Sequence, residues 1–136
     1  MEEKEVKYLL DTSVFLWSLG TEHKLNRKAR ELLSSGHTEL FLSAASSWEI
    51  AIKFALGALA LPEPPSQFIP HALGLLALRS LDITHFHSLA AGELPRHHRD
   101  PFDRMLISQA HLENMVLLTA DRVFQKYQVD MMLCGT

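Results

Sequence analysis

Apolar residues along the chain follow two alternating rhythms. Short unbroken runs appear at Tyr8-Leu9-Leu10, Leu40-Phe41-Leu42 and Val116-Leu117-Leu118. Runs of this kind suit strands buried on both faces, since a half-exposed strand would alternate apolar with polar positions. They predict strands near 7–10, 39–42 and 116–119, with weaker candidates at 81–83 and 129–133. Between them lie longer stretches with helical spacing. Over 24–35, Leu25, Ala29, Leu32 and Leu33 share one face, while Lys24, Arg27, Lys28 and Arg30 lie largely elsewhere. Residues 44–56 are apolar nearly all round, which predicts a well-buried helix. Further helices are expected over 66–78, 85–92 and 101–114, with short ones after Ser13 and over 122–127.

The punctuation agrees with this reading. Ser13, Ser43, Thr84 and Asp100 stand where helix N-caps belong, and Gly20, Gly36 and Gly57 where helices stop. Pro65 or Ser66 can open one helix, and Pro101 suits the first position of another. Helices alternating with buried strands predict a three-layer α/β fold with a mainly parallel sheet.

Composition narrows the class. A chain of 136 residues without linker, repeat or low-complexity tract reads as one domain over 1–136. With 47% hydrophobic and 21% charged residues, the profile is globular. Cys134 is the only cysteine, so no disulfide framework or Cys-based zinc site can form within one chain, which fits a reducing compartment. The acidic start, residues 1–5, lacks the basic region and apolar core of a leader peptide. No apolar run approaches the ~20 residues of a membrane helix. A cytoplasmic protein without membrane attachment is expected. The formal charge of −3 argues against a strongly electrostatic nucleic-acid binder but suits a pocket that recruits cations.

Four acids stand out by position. Asp11 and Asp121 each follow an apolar strand, Glu49 interrupts an apolar helix, and Asp103 lies in the first turn of another. In a parallel sheet, strand carboxyl ends and the starts of the following helices share one edge, so Asp11, Asp103 and Asp121 can converge there, with Glu49 facing them from the side. Clustered carboxylates repel, and burial raises their pKa; a hard divalent cation resolves both problems. The chemistry suggested is metal-dependent phosphodiester hydrolysis. Each acid also has a structural reading: Asp11 and Asp121 as N-caps, Glu49 as the i,i+4 partner of Lys53, Asp103 as a favourable charge at a helix start.

The segments Leu-Leu-Asp-Thr-Ser-Val-Phe-Leu-Trp (9–17), Leu-Ser-Ala-Ala-Ser-Ser-Trp-Glu-Ile-Ala-Ile-Lys (42–53), His-His-Arg-Asp-Pro-Phe-Asp-Arg-Met-Leu-Ile-Ser-Gln-Ala (97–110) and Leu-Leu-Thr-Ala-Asp (117–121) carry a resemblance. With them, the chain resembles the PIN-domain ribonucleases, specifically VapC-type toxins of bacterial toxin–antitoxin pairs. The Arg-Asp-Pro-Phe-Asp-Arg element is the most specific. The resemblance implies a PIN-like three-layer α/β/α fold, Mg²⁺ or Mn²⁺, and endonucleolytic cleavage of RNA by a metal-activated water. It places the metal and catalytic site on Asp11, Glu49, Asp103 and Asp121, Glu49 either binding metal or orienting water. Thr12 and Thr119 would support those carboxylates by hydrogen bonds, and Asp100 would cap. It further implies a VapB-type antitoxin as partner and a homodimer. Ser13 stands where relatives often carry His or Asn, which bears on substrate fit.

Other readings stay open. A PIN-type module that only binds RNA or protein would be expected to lack one of the acids. A phosphatase with a strand-end Asp nucleophile usually wants a second Asp two residues on, where Ser13 stands. His85, His87, His97 and His98 lack the i,i+4 spacing of a two-histidine zinc motif. His98, Arg99 and Arg104, with His97 and Arg96, instead suggest contacts to RNA phosphates at the rim of the active edge. Trp17 and Trp48 read as core or interface residues. Leu73, Leu75, Leu76 and Leu78 exceed what one helix face requires, marking either burial or a partner surface.

Overall fold

The computed structural model describes residues 6–36 and 38–136; the acidic start, residues 1–5, lies outside them. Five strands form one sheet: β1 (Lys7–Leu10), β2 (Glu39–Ser43), β3 (Arg79–Leu81), β4 (Val116–Thr119) and β5 (Met131–Leu133). Their order is β3-β2-β1-β4-β5 and every pairing is parallel. The connections run outward from β1 to one edge, then return to its other side at β4. The carboxyl ends of β1 and β4 therefore flank the point where strand order reverses, the usual location of a ligand crevice in such sheets.

Six helices cover the sheet: α1 (Thr12–Trp17), α2 (Arg27–Ser34), α3 (Ala44–Ala55), α4 (Pro65–Leu75), α5 (His85–Glu93) and α6 (Pro101–Leu112). Alternation along β1 divides the core. Leu10 packs with Val14 and Phe15 of α1, Ala29 of α2, Ile50 of α3, and Ile69 and Ala72 of α4. Leu9 packs with Leu106, Ile107 and Ala110 of α6 and with Phe124. Leu9, Leu10, Leu117 and Leu118 are fully buried. Each stabilises the fold by roughly 1.5–3 kcal/mol, which is why these central positions are apolar.

Several expectations shift. The third strand lies at 79–81, not 81–83; Ile83 is partly exposed, while Leu78 fills the core. As an edge strand β3 needs few apolar residues, and an Arg79–Glu39 ion pair at 3.1 Å helps hold it. The helix expected from 24 starts at Arg27: Glu22–Lys24 form a 3-10 turn, and Asn26 caps α2 by accepting from the Ala29 N–H. Asp11, not Ser13, caps α1, accepting from the Val14 N–H at 2.7 Å. α3 is buried on one face only; Trp48 is 63% exposed and packs edge-on against Phe102, while Leu56 lies open. Trp17 is partly buried against the core, and Lys24 lies over its ring. Of the four leucines around the end of α4, Leu73, Leu76 and Leu78 pack inward, and only Leu75 is strongly exposed. Thr84, Ser43 and Asp100 cap as expected. His87 completes the Thr84 capping box and lies 3.0 Å from Glu113, which gives that histidine a structural role.

Candidate metal centre

Asp11 follows β1 directly, and its backbone N–H donates to the Leu118 carbonyl of β4, tying the two strand ends together. The Asp11 carboxylate accepts from the Thr119 hydroxyl and the Val14 N–H. The Thr119 oxygen in turn accepts from the Asp121 N–H at 3.0 Å. One threonine thus orients two acids. Asp121 turns one oxygen to the Val123 N–H, capping a short 3-10 helix (Arg122–Lys126), and the other toward His98.

Glu49 is buried within the first half of α3. Thr12 donates to one of its oxygens at 2.6 Å, and Lys53 donates to the other at 2.6 Å. The i,i+4 pair with Lys53 therefore forms, and it clamps a carboxylate that faces the other acids. Ser46, 2.9 Å from Thr12 Oγ1, extends this support. It escaped notice in the sequence, although it stands three residues before Glu49 and so on the same helical face.

Asp103 sits in the first turn of α6. Asp100 accepts from the N–H groups of Phe102 and Asp103, so Asp100 is occupied as the cap. Burial pushes Asp103 up to about 8, with further rises from the charges of Asp100, Asp11, Glu49 and Asp121. Burial likewise raises Asp11 to about 6, against the lowering effect of Thr119 and Val14, and the charges of Glu49 and Asp121 add to the rise. These mutual repulsions put the four acids within electrostatic reach of one another.

His98 enters this cluster unexpectedly. Its Nε2 lies 2.8 Å from an Asp103 oxygen and 3.5 Å from an Asp121 oxygen, yet neither oxygen is aligned for a hydrogen bond to this buried nitrogen. Ligand atoms of His98, Asp103 and Asp121 all lie within 4.8 Å of one another, and among the described residues this is the group so arranged; Asp11 and Glu49 stand outside it. The sequence signal was available: His98 precedes the α6 cap by two residues, on the same sheet edge. Oxygen donors, clustered carboxylates and an orphaned buried nitrogen together fit a divalent cation.

Of the remaining candidates, Arg104 has both terminal nitrogens bound to backbone carbonyls of Ala91, Leu94, Pro95 and His98, at 2.9–3.4 Å. It braces the loop before α6, which removes the terminal nitrogens from the expected role in RNA contact. Arg99 and Arg96 are exposed. His97 packs edge-on against Tyr127. Ser13 is exposed and adds no second carboxylate at the strand end. Cys134 is fully buried, and that burial pushes its thiol up to about 12, so it is inert.

Comparisons with known proteins bear on family and fold. The PIN domain family profile matches residues 8–129. The chain is similar to Ribonuclease VapC16 of Mycobacterium tuberculosis, 34% identical over 61 residues, a match covering 45% of this chain and 43% of that relative. In fold it is similar to VapBC2 from Rickettsia felis bound to a DNA fragment from their promoter (TM-score 0.72, 15% identity, 96% of this chain and 100% of that one). It is also similar to DNA-bound VapBC from Salmonella typhimurium (TM-score 0.68, 20% identity, 93% of this chain and 97% of that one).

Proposed function

This chain belongs to the PIN domain family, and from that premise we propose that it is a divalent-metal-dependent endoribonuclease, the toxin of a toxin–antitoxin pair. The observation that carries the reading is that acids from four separate elements lie within electrostatic reach of one another at the reversal point of a parallel sheet, with Lys53 paired to Glu49 alone. A relative named as a ribonuclease supports the same reaction class.

Asp11, Asp103 and Asp121 would hold the ion, with Glu49 beside them. The chemistry a bound Mg²⁺ or Mn²⁺ supplies is Lewis acidity toward a phosphoryl oxygen and toward water. The protein's part is to keep the acids in place. Thr119 fixes the angle between Asp11 and Asp121. Thr12 and Lys53 hold Glu49 with both oxygens occupied, which favours a role in orienting water over direct ligation. Asp100 fixes the first turn of α6 and hence Asp103. Burial of Asp11, Glu49, Thr12 and Thr119 limits water on that side of the cluster and strengthens their electrostatic contacts, while Asp121 stays open to solvent.

The two solved relatives described above are VapBC complexes, which supports a VapB-type antitoxin as partner. Phe86 and Leu89, exposed on α5, and Leu56, Leu75 and Trp48 are among the exposed large apolar residues that a partner or a second copy of the chain would cover.

The test is cleavage of RNA by purified protein with Mn²⁺, compared with Asp11→Asn and Asp103→Asn. Activity lost in both variants supports the reading; undiminished turnover in either variant rejects it. Mapping new RNA 5′ ends after induction of wild type and Asp103→Asn identifies the target.

A further inference from the structure

Beside the acids lies a cavity of opposite character. It has a volume of about 440 Å³ and is lined by Gly92, Arg96, His98, Arg99 and Arg104. That size falls within the roughly 300–1,000 Å³ typical of ligand pockets. No carboxylate lines it, although the chain carries a net charge of −3 and the adjoining edge is acidic. His98 belongs to both sites: it lines this cavity while its Nε2 faces Asp103 and Asp121. We infer that this arginine pocket is a second substrate subsite, which holds a backbone phosphate of the RNA flanking the one cleaved at the acids. The inference rests on the endoribonuclease reading and adds to it the place where the neighbouring nucleotide is gripped.

The arginines divide the work. Arg104 is immobilised by four carbonyl contacts and forms a fixed wall. The same loop is braced from the other side by Tyr127, whose hydroxyl donates to the Pro95 carbonyl at 3.0 Å and accepts from the His98 N–H at 2.8 Å. A cavity wall this constrained persists without ligand. Arg96 and Arg99 are exposed, and among the described residues neither forms an ion pair. Their guanidinium forks are free for the bidentate geometry that phosphate favours. The contact assigned here is to the phosphate, which positions RNA without carrying sequence information. A larger cavity of about 520 Å³ lies at the other end of α6, lined in part by His111, Asn114 and Asp130, and lacks this charge.

The experiment measures binding of a short fluorescein-labelled single-stranded RNA by anisotropy, across a salt series. Asp103→Asn protein serves as the non-cleaving background, with and without Arg96→Gln and Arg99→Gln together. The inference expects Kd to rise roughly tenfold, as for loss of charge-assisted contacts. It also expects the log Kd against log salt slope to become shallower by about 0.7, the value for one lost phosphate contact on a single strand. Both substituted arginines are exposed, so matched thermal melts confirm an intact fold. An unchanged Kd and slope overturn the subsite, as does an Asp103→Asn background that binds no RNA. Cleavage by wild type with Mn²⁺, run in parallel, separates the two ideas. Cleavage with an unchanged slope leaves the nuclease and removes the subsite. Weakened binding without wild-type cleavage does the reverse.

Discussion

At Asp103 the fold holds a carboxylate in a place that opposes its charge. Burial and four neighbouring acids raise it to about 8, so at neutral pH the metal-free protein must keep it protonated or bear the repulsion. Asp103→Asn removes that cost. The substitution is expected to lower RNA cleavage by about 100-fold or more, the upper range for loss of a metal site's supporting groups. It should also raise the melting temperature of the metal-free protein at pH 7 but not near pH 4. Melts in EDTA at the two pH values check this. At Thr12, substitution by Val leaves the buried Glu49 Oε1 without its donor. We expect a loss of about 1–3 kcal/mol in urea unfolding. These residues were partly legible in the sequence. An acid directly after an apolar strand can be read from the pattern alone, as at Asp11. His98 was legible only as a residue on that edge near the α6 cap; its contact with Asp103 and Asp121 depends on the path of an irregular loop.

Among the elements, α6 was legible because Asp100-Pro101 announces its start and its apolar face repeats. The central strands were legible because burial on both faces leaves unbroken apolar runs. β3 was not, since an edge strand pairs through its backbone and leaves Arg79 and Ser80 exposed. α3 misled in the opposite way: its composition suggested full burial, yet Trp48 and Leu56 face outward. The segment between α5 and α6 carries no periodic signal, and Arg104 supplies the order that the pattern lacks. Arg104→Met strands four backbone carbonyls. We expect it to cost about 2–3 kcal/mol, the scale of hydrogen bonds to a charged group. Loss of hydrogen-exchange protection should concentrate at residues 91–98. Destabilisation spread evenly over the sheet would contradict the brace assigned to it.

For the molecule as a whole, the acid cluster couples stability to pH and to metal. Asp11 and Asp103 have pKa values of about 6 and about 8 in the folded chain, against 3.8 when unperturbed. Between those limits the folded state binds more protons than the unfolded one, so stability falls as pH rises. The metal-free melting temperature should decline from pH 4 to pH 8, and added Mn²⁺ should restore more of it at pH 8 than at pH 5. Ion binding should release protons over the same range. A sheet-edge acid cluster is thus destabilising by itself and becomes a functional asset when an ion is present. No helix among the described residues is long and apolar enough to cross a membrane.

The most direct test is a titration of Mn²⁺ into the purified chain at pH 8, with free ion followed by electron paramagnetic resonance. The account expects saturable binding by wild type, weakened at least about tenfold by Asp103→Asn. Equal binding by both proteins, or none by wild type, would contradict it.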